Sequence, residues 1–295
     1  MTILAIAFYI FNNYWKEFDE LFRKIDNKFI YILFLSQSIL IATTGLPFKT
    51  IYEALDIKIN TIDWICLSYA GNFANYTAPL RPGLAVRYLY MKKHYKSTLT
   101  DIAIVTAVYS FYTITVAFGL TLVFMLLNAP LPHKISYLPL FILICVVLSI
   151  LYLNKILSVE RILKNIPQRI AAIIENVQSF RHKPRLTIQL TCQFLLINLI
   201  GGITYYFAFE ALSITPKITT ILMITPLSTL TGWFALTPAN IGVTETLVGL
   251  LLEYSSGEFS VGFIATSVVR LSHVGVSVIL GGLSSAYILK RSSIQ

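Results

Sequence analysis

Four charged residues stand where apolar sequence gives no reason for them: Arg81, Arg87, Glu245 and Arg270. Arg81 and Arg87 lie six residues apart, in Asn75-Tyr-Thr-Ala-Pro79-Leu-Arg81-Pro82-Gly83-Leu-Ala-Val-Arg87. Arginine presents a planar fork of N–H donors that matches phosphate oxygens. Two arginines beside a helix-breaking cluster, with Lys92, Lys93 and Lys96 just beyond, therefore point to a phosphate-bearing headgroup. Anchoring at a cytoplasmic membrane face explains the lysines equally well, but not an arginine inside Pro-x-Arg-Pro-Gly.

Glu245 follows a second cluster, Pro238-Ala-Asn240-Ile-Gly242-Val-Thr-Glu245, and Arg270 stands near the middle of a long apolar run with His273 one turn along. A lone charge in hydrocarbon costs on the order of 3 kcal/mol on insertion scales. A Glu245–Arg270 ion pair is the economical arrangement, and the composition leaves open whether it is structural or functional. Both clusters contain Pro-x-x-x-Gly, from Pro79 to Gly83 and from Pro238 to Gly242. Proline removes a backbone donor and glycine admits unusual dihedrals, so each should break a helix. Two ordinary loop turns would meet that spacing too. Paired breaks in the two halves of a membrane chain are, however, the best sequence pointer to a transport site, with Asn75 and Asn240 as further polar ligands.

The elements that must hold these residues follow from composition. Of 295 residues, 56% are hydrophobic and 13% charged, against about 25% charged in an average soluble domain. Several apolar runs approach the ~20 residues that cross a bilayer. The expected fold is all-α: a polytopic helical membrane protein with two interrupted or re-entrant helix pairs, for which an inverted repeat is one arrangement. The runs fall at 29–48, 62–80, 102–127, 135–153, 186–209, an interrupted 218–236 and 241–252, and 259–289. We expect one integral membrane domain over 1–295, with a short hydrophobic segment and polar loop at 1–28. Residues 154–185 read as a basic amphipathic helix on the cytoplasmic headgroups.

The formal charge of +9 needs no nucleic acid. With loops 12–28, 81–100, 154–185 and the C-terminal tail on one side, that side holds 18 of the 23 Lys and Arg, and loops 49–61, 128–134, 210–217 and 253–258 hold four. That asymmetry places the C-terminus in the cytoplasm, in a cytoplasmic (inner) membrane. Cys66, Cys145 and Cys192 have no CxxC spacing, so neither a disulfide framework nor a metal site is expected. Nucleotide-binding, metalloprotease and nucleophile-elbow motifs are missing, so no catalytic residue and no cofactor is assigned.

At the two clusters the sequence resembles the lysylphosphatidylglycerol synthetase transmembrane, or flippase-like, domain family. The matching positions are Asn75, Pro79, Arg81, Gly83 and Arg87, then Pro238, Gly242, Glu245, Gly257 and Arg270. Departures are Leu84, where an acidic residue often follows, and Ala239 and Asn240 in place of glycines. The resemblance implies translocation of an anionic, aminoacylated or otherwise modified phospholipid, or of a lipid-linked substrate, between leaflets. The larger lysyl-lipid enzymes also carry an aminoacyl-transferase domain that this sequence lacks. Two alternatives stay open: a non-catalytic subunit presenting lipid to a partner transferase, and a membrane lipid transferase. A homo-oligomer is compatible with each.

Overall fold

A computed structural model describes residues 26–77, 82–127, 183–232, 240–256 and 258–293. Among them are the helices α1 (Asn27–Thr44), α2 (Leu46–Glu53), α3 (Thr61–Thr77), α4 (Gly83–Tyr95), α5 (Leu99–Leu127), α6 (Pro184–Ala211), α7 (Ile218–Gly232), α8 (Val243–Ser256) and α9 (Phe259–Ser293). No strand occurs among the described residues. Asn27–Glu53, Leu99–Leu127, Pro184–Ala211 and Phe259–Arg291 are long and apolar enough to cross a bilayer, and Ile218–Gly232 is a shorter apolar helix. Pro79, Arg81, Pro238, Gly257, the segment 1–25, the apolar run 135–153 and nearly all of the expected amphipathic helix at 154–185 lie outside the described residues.

Local chemistry sets the helix ends. Asp26 accepts the Lys28 N–H at 3.1 Å and opens α1. Gly45 closes that helix and Pro47 helps start α2. Thr98 and Asp101 form a reciprocal capping box at the start of α5, with Thr98 N–H on Asp101 Oδ2 at 2.7 Å and Asp101 N–H on Thr98 Oγ1 at 3.1 Å. Pro184 sits in the first turn of α6.

The run 62–80 forms one arm of a helical hairpin. Helix α4 returns along α3, because the Gly83 N–H donates to Asn75 Oδ1 at 2.9 Å at one end. At the other end the Tyr95 hydroxyl meets Asp63 at 2.5 Å and accepts the Asn60 N–H at 3.0 Å. Most of the expected loop 81–100 is therefore helix. A second hairpin, α7 and α8, corresponds to the interrupted pair. Ile221 and Ile224 of α7 share a buried cluster with Val248 and Leu252 of α8.

The long helix α9 packs along both hairpins. Gly281 lets α3 approach so closely that a Cβ there would stand 2.5 Å from Phe73 Cβ and 2.8 Å from the Tyr69 carbonyl oxygen. Small residues are how helices meet in a membrane, where water exclusion gives no drive. Arg291, near the end of α9, pairs with fully buried Asp63 at the start of α3. Tyr112 joins Thr187, and Gln193 joins Thr50 at 2.8 Å. The starts of α3, α5 and α6, the end of α4, the short α2 and the end of α9 thus share one end of the bundle.

This corrects the loop assignment. Residues 49–61 lie at the same end as the C-terminal tail, and α1 begins toward the other end, where Leu33 packs with Phe209 and Ile264. The error came from leaving out the return of the chain along α4. Among the described residues the shared end carries Lys49, Lys58, Lys92, Lys93, Lys96, Lys183, Arg185, Lys290 and Arg291, whereas the far end carries Lys28 and Lys217.

Candidate functional site

The expected pair exists. The Arg270 Nε donates to Glu245 Oε1, and an Arg270 terminal N–H donates to Glu245 Oε2 at 3.2 Å. A two-pronged bond of this kind fixes both partners in orientation. Glu245, only 4% exposed, also accepts the Gly242 N–H at 2.9 Å. As the third residue of α8 it reaches back to the residue that precedes the helix, which is half of a capping box. One carboxylate thereby caps a helix start and neutralises a guanidinium.

The backbone before α8 turns sharply to allow this. Asn240 has φ +55° and Gly242 φ +83°, both left-handed. Glycine adopts that conformation freely and asparagine tolerates it. The turn aims the Asn240 carbonyl at the same guanidinium, 3.2 Å from an Arg270 terminal nitrogen. Of the predicted residues, Asn240, Gly242, Glu245 and Arg270 form one constellation.

Asn75 and Gly83 form the other hairpin's tip. A Cβ on Gly83 would stand 2.2 Å from the Gly71 carbonyl oxygen and 2.8 Å from Asn75 Oδ1, so the tip closes only with glycine there. Asn75 clips the turn, a role the residue type permits but the sequence did not indicate. The neighbouring Tyr76 ring faces His273 on α9, centroid to centroid 5.7 Å. His273 Nδ1 lies 2.8 Å from Gln37 Oε1 on α1, and Arg270 stands one turn before it. The two hairpin tips thus converge on one stretch of α9, from Arg270 to His273.

Arg87 lies apart from that stretch. Its guanidinium sits over the Phe48 ring, 4.0 Å from the centroid, and against Gly71, whose Cβ would stand 3.2 Å from Arg87 Nε.

Three partners escaped sequence reasoning. Gln37, almost fully buried, is a polar residue inside an apolar run. Asp63 is the one acidic residue of α3 and faces Arg291 and Tyr95. Tyr76 gave no signal, because its partner is 197 positions away. An isolated amide or acid in apolar sequence was the available signal for the first two. Among the described residues no group of His, Cys, Asp and Glu could hold a metal ion.

Four helices long and apolar enough to cross a bilayer, with a buried ion pair between two of the helices, mark an integral membrane protein. The chain belongs to the family described as the lysylphosphatidylglycerol synthase TM region, whose model matches residues 1–281 of 295. Comparisons with curated proteins and with solved structures find no match.

Proposed function

We propose that this protein moves an anionic or modified lipid between leaflets. The headgroup passes between the two hairpin tips while the acyl chains stay in the bilayer. The observation that carries this reading is the convergence of both tips on Arg270–His273 of α9. Irregular backbone at membrane depth is tolerated where it lines a polar cavity, and paired broken helices are how secondary transporters build such cavities. In this reading the hairpins enter from opposite faces, α3 and α4 from the end shared with Arg291 and α7 and α8 from the other. The excess of Lys and Arg at the Arg291 end supports a cytoplasmic C-terminus. Membership in a lipid-synthase transmembrane family supports a lipid as cargo.

Arg81 and Arg87 take the lipid phosphate. Glu245 and Arg270 set the polarity between the tips, and the carboxylate meets a cationic headgroup when one is present. The test is reconstitution in liposomes carrying a fluorescent phosphatidylglycerol or its lysylated form, with the outer-leaflet dye quenched by an impermeant reductant. The wild-type protein should expose inner-leaflet dye to the reductant, and Glu245→Gln with Arg270→Gln should not. Equal quenching in protein-free vesicles refutes the proposal.

A further inference from the structure

His273 is a titratable side chain at the meeting point of the two hairpins, and moving a lipid headgroup leaves it without a task. It follows Arg270 by three positions on α9, which puts both side chains on one helix face. Nδ1 stands 2.8 Å from Gln37 Oε1, and Gln37 is only 1% exposed. An amide oxygen only accepts, so Nδ1 carries the N–H of the neutral ring and keeps it in the charged ring. Nε2 has no hydrogen-bond partner among the described residues. A proton can therefore add at Nε2 without disturbing the tie to α1. Tyr76 walls the imidazole on the α3 side, 5.7 Å between centroids.

A count of charges decides what such a group does here. Five helices pack against α9. Helix α8 brings Glu245, which balances Arg270, and α1 brings the uncharged Gln37. Helix α3 brings the Tyr76 phenol, and α6 the Tyr205 phenol, which lies in the field of the same ion pair. Helix α4 bears instead on Asp63 and Arg291, through Tyr90 and Tyr95. Among the described residues the meeting point is thus neutral while His273 is neutral. Arg87 lies apart from it over Phe48, so a phosphate that has left Arg87 finds no surplus positive charge between the tips. An uncompensated charge at membrane depth is costly, whether it is the cargo's alone or an imidazolium's alone. Together the two cancel.

We propose that His273 is the proton site of translocation: its Nε2 takes one proton from water as an anionic headgroup enters between the tips, and returns it to water when the headgroup leaves. One N–H bond forms and later breaks, and no other bond changes. One proton then accompanies each anionic lipid, the pair crosses without net charge, and a proton gradient can drive the lipid. Gln37 is a positioning residue that holds the ring in both states. The cargo is the anionic lipid of the function proposed above, on which this role rests. A cationic headgroup meets Glu245 instead and calls for no proton.

The test uses the full chain. In weakly buffered detergent, short-chain phosphatidylglycerol is added and a pH indicator reads the protons taken up, with phosphatidylcholine as control. Affinity in detergent and transfer of fluorescent phosphatidylglycerol in liposomes are followed from about pH 5 to pH 9, the range around an ordinary histidine. Phosphatidylglycerol should take up as much as one proton per chain, and phosphatidylcholine none. Over the limb where the ring starts neutral, affinity for phosphatidylglycerol should rise roughly tenfold per pH unit of acidification, the slope of one titrating group. Transfer should follow. His273→Asn should abolish the uptake and flatten both profiles. Gln37→Glu sets a carboxylate on Nδ1 and should carry both profiles about one pH unit or more to the alkaline side, because an opposite charge favours the imidazolium. A merely structural histidine leaves the profiles where they were. Proton uptake that survives in His273→Asn overturns the proposal, as does a wild-type affinity that ignores pH. If His273→Asn does not fold, wild-type uptake together with the Gln37→Glu shift decides the matter. Transfer without proton uptake removes this role and leaves the proposed function; uptake without transfer keeps a proton-linked anion site and removes translocation.

Discussion

The Glu245–Arg270 pair makes a quantitative prediction about coupling. Glu245→Gln leaves the Arg270 guanidinium in a nearly closed site with the Asn240 carbonyl as a remaining acceptor. The glutamine oxygen can still take either the Gly242 N–H or an arginine N–H, so this change belongs at the lower end of the cost of breaking a buried pair, about 3 kcal/mol. Arg270→Gln strands a carboxylate that is 4% exposed and also removes the donor to Asn240, so about 5 kcal/mol is expected. In the double variant no net charge remains. The joint loss should fall short of the sum by about 2–3 kcal/mol, the upper range of contact couplings. Unfolding in mixed detergent micelles, followed for wild type, both single variants and the double, measures that difference directly. Losses that add to within about 0.5 kcal/mol would falsify the pairing. A double variant that regains stability without regaining lipid transfer assigns the pair to function, and recovery of both assigns it to structure alone.

Four further outcomes follow from the geometry. Cysteines placed at Lys58, within 154–185 and at Lys290 should all resist an impermeant thiol reagent added to intact cells, while cysteines at Lys28 and Glu258 should react; labelling at Lys58 with protection at Lys290 breaks the shared-end arrangement. Gly83→Ala should lower stability by about 1–3 kcal/mol, because its methyl would press on backbone at Gly71, whereas Gly282→Ala, with open space at that point, should be neutral or stabilising; comparison of their melting temperatures checks this. Asp63→Asn should cost about 1–3 kcal/mol through its buried contacts with Tyr95 and Arg291, discounted because Arg291 is 37% exposed, and unfolding curves at neutral pH measure it. Burial, and then the hydrogen bond to Asp63, push the Tyr95 hydroxyl at the end of α4 up to about 12 from 10. The folded state thus holds that proton longer, so its stabilisation is complete below pH 10 and is lost as pH rises toward 12, a decline that Tyr95→Phe should flatten in a pH series of unfolding curves.

The sequence made the charged residues legible because membrane interiors are unforgiving. Glu245 and Arg270 each interrupted apolar sequence, and pairing was the inexpensive solution, which the structure contains. The second helix break was legible for the same reason, since Asn240 and Gly242 do adopt left-handed backbone. The path of the first break was not. Hydropathy over 62–80 cannot distinguish a crossing from a hairpin, because both bury the same apolar side chains. What separates them is whether the following segment returns, and α4 is too polar to register as a membrane element. Its return is fixed by Asn75 on Gly83 and by Tyr95 on Asp63, contacts between residue types that carry no special periodicity. Arg87 was legible as an unusual arginine, but its neighbours Phe48 and Trp64 arrive from other helices.

The tie between Asp63 and Arg291 joins residues 228 positions apart, and this bears on how the protein is made. At about 5–20 residues per second, the ribosome takes roughly 11–46 s to synthesise the chain between them. Throughout that interval the first hairpin exists without its counter-charge, with a carboxylate bound for complete burial still facing headgroups or water. Gln37 waits for His273, 236 positions away, in the same way. The first hairpin is therefore provisional until α9 arrives, and α9 follows the other described helices and completes the contacts of α1 and α3. Nascent chains halted before α9 should be handled by the membrane quality-control machinery as unassembled, however well their early helices are inserted.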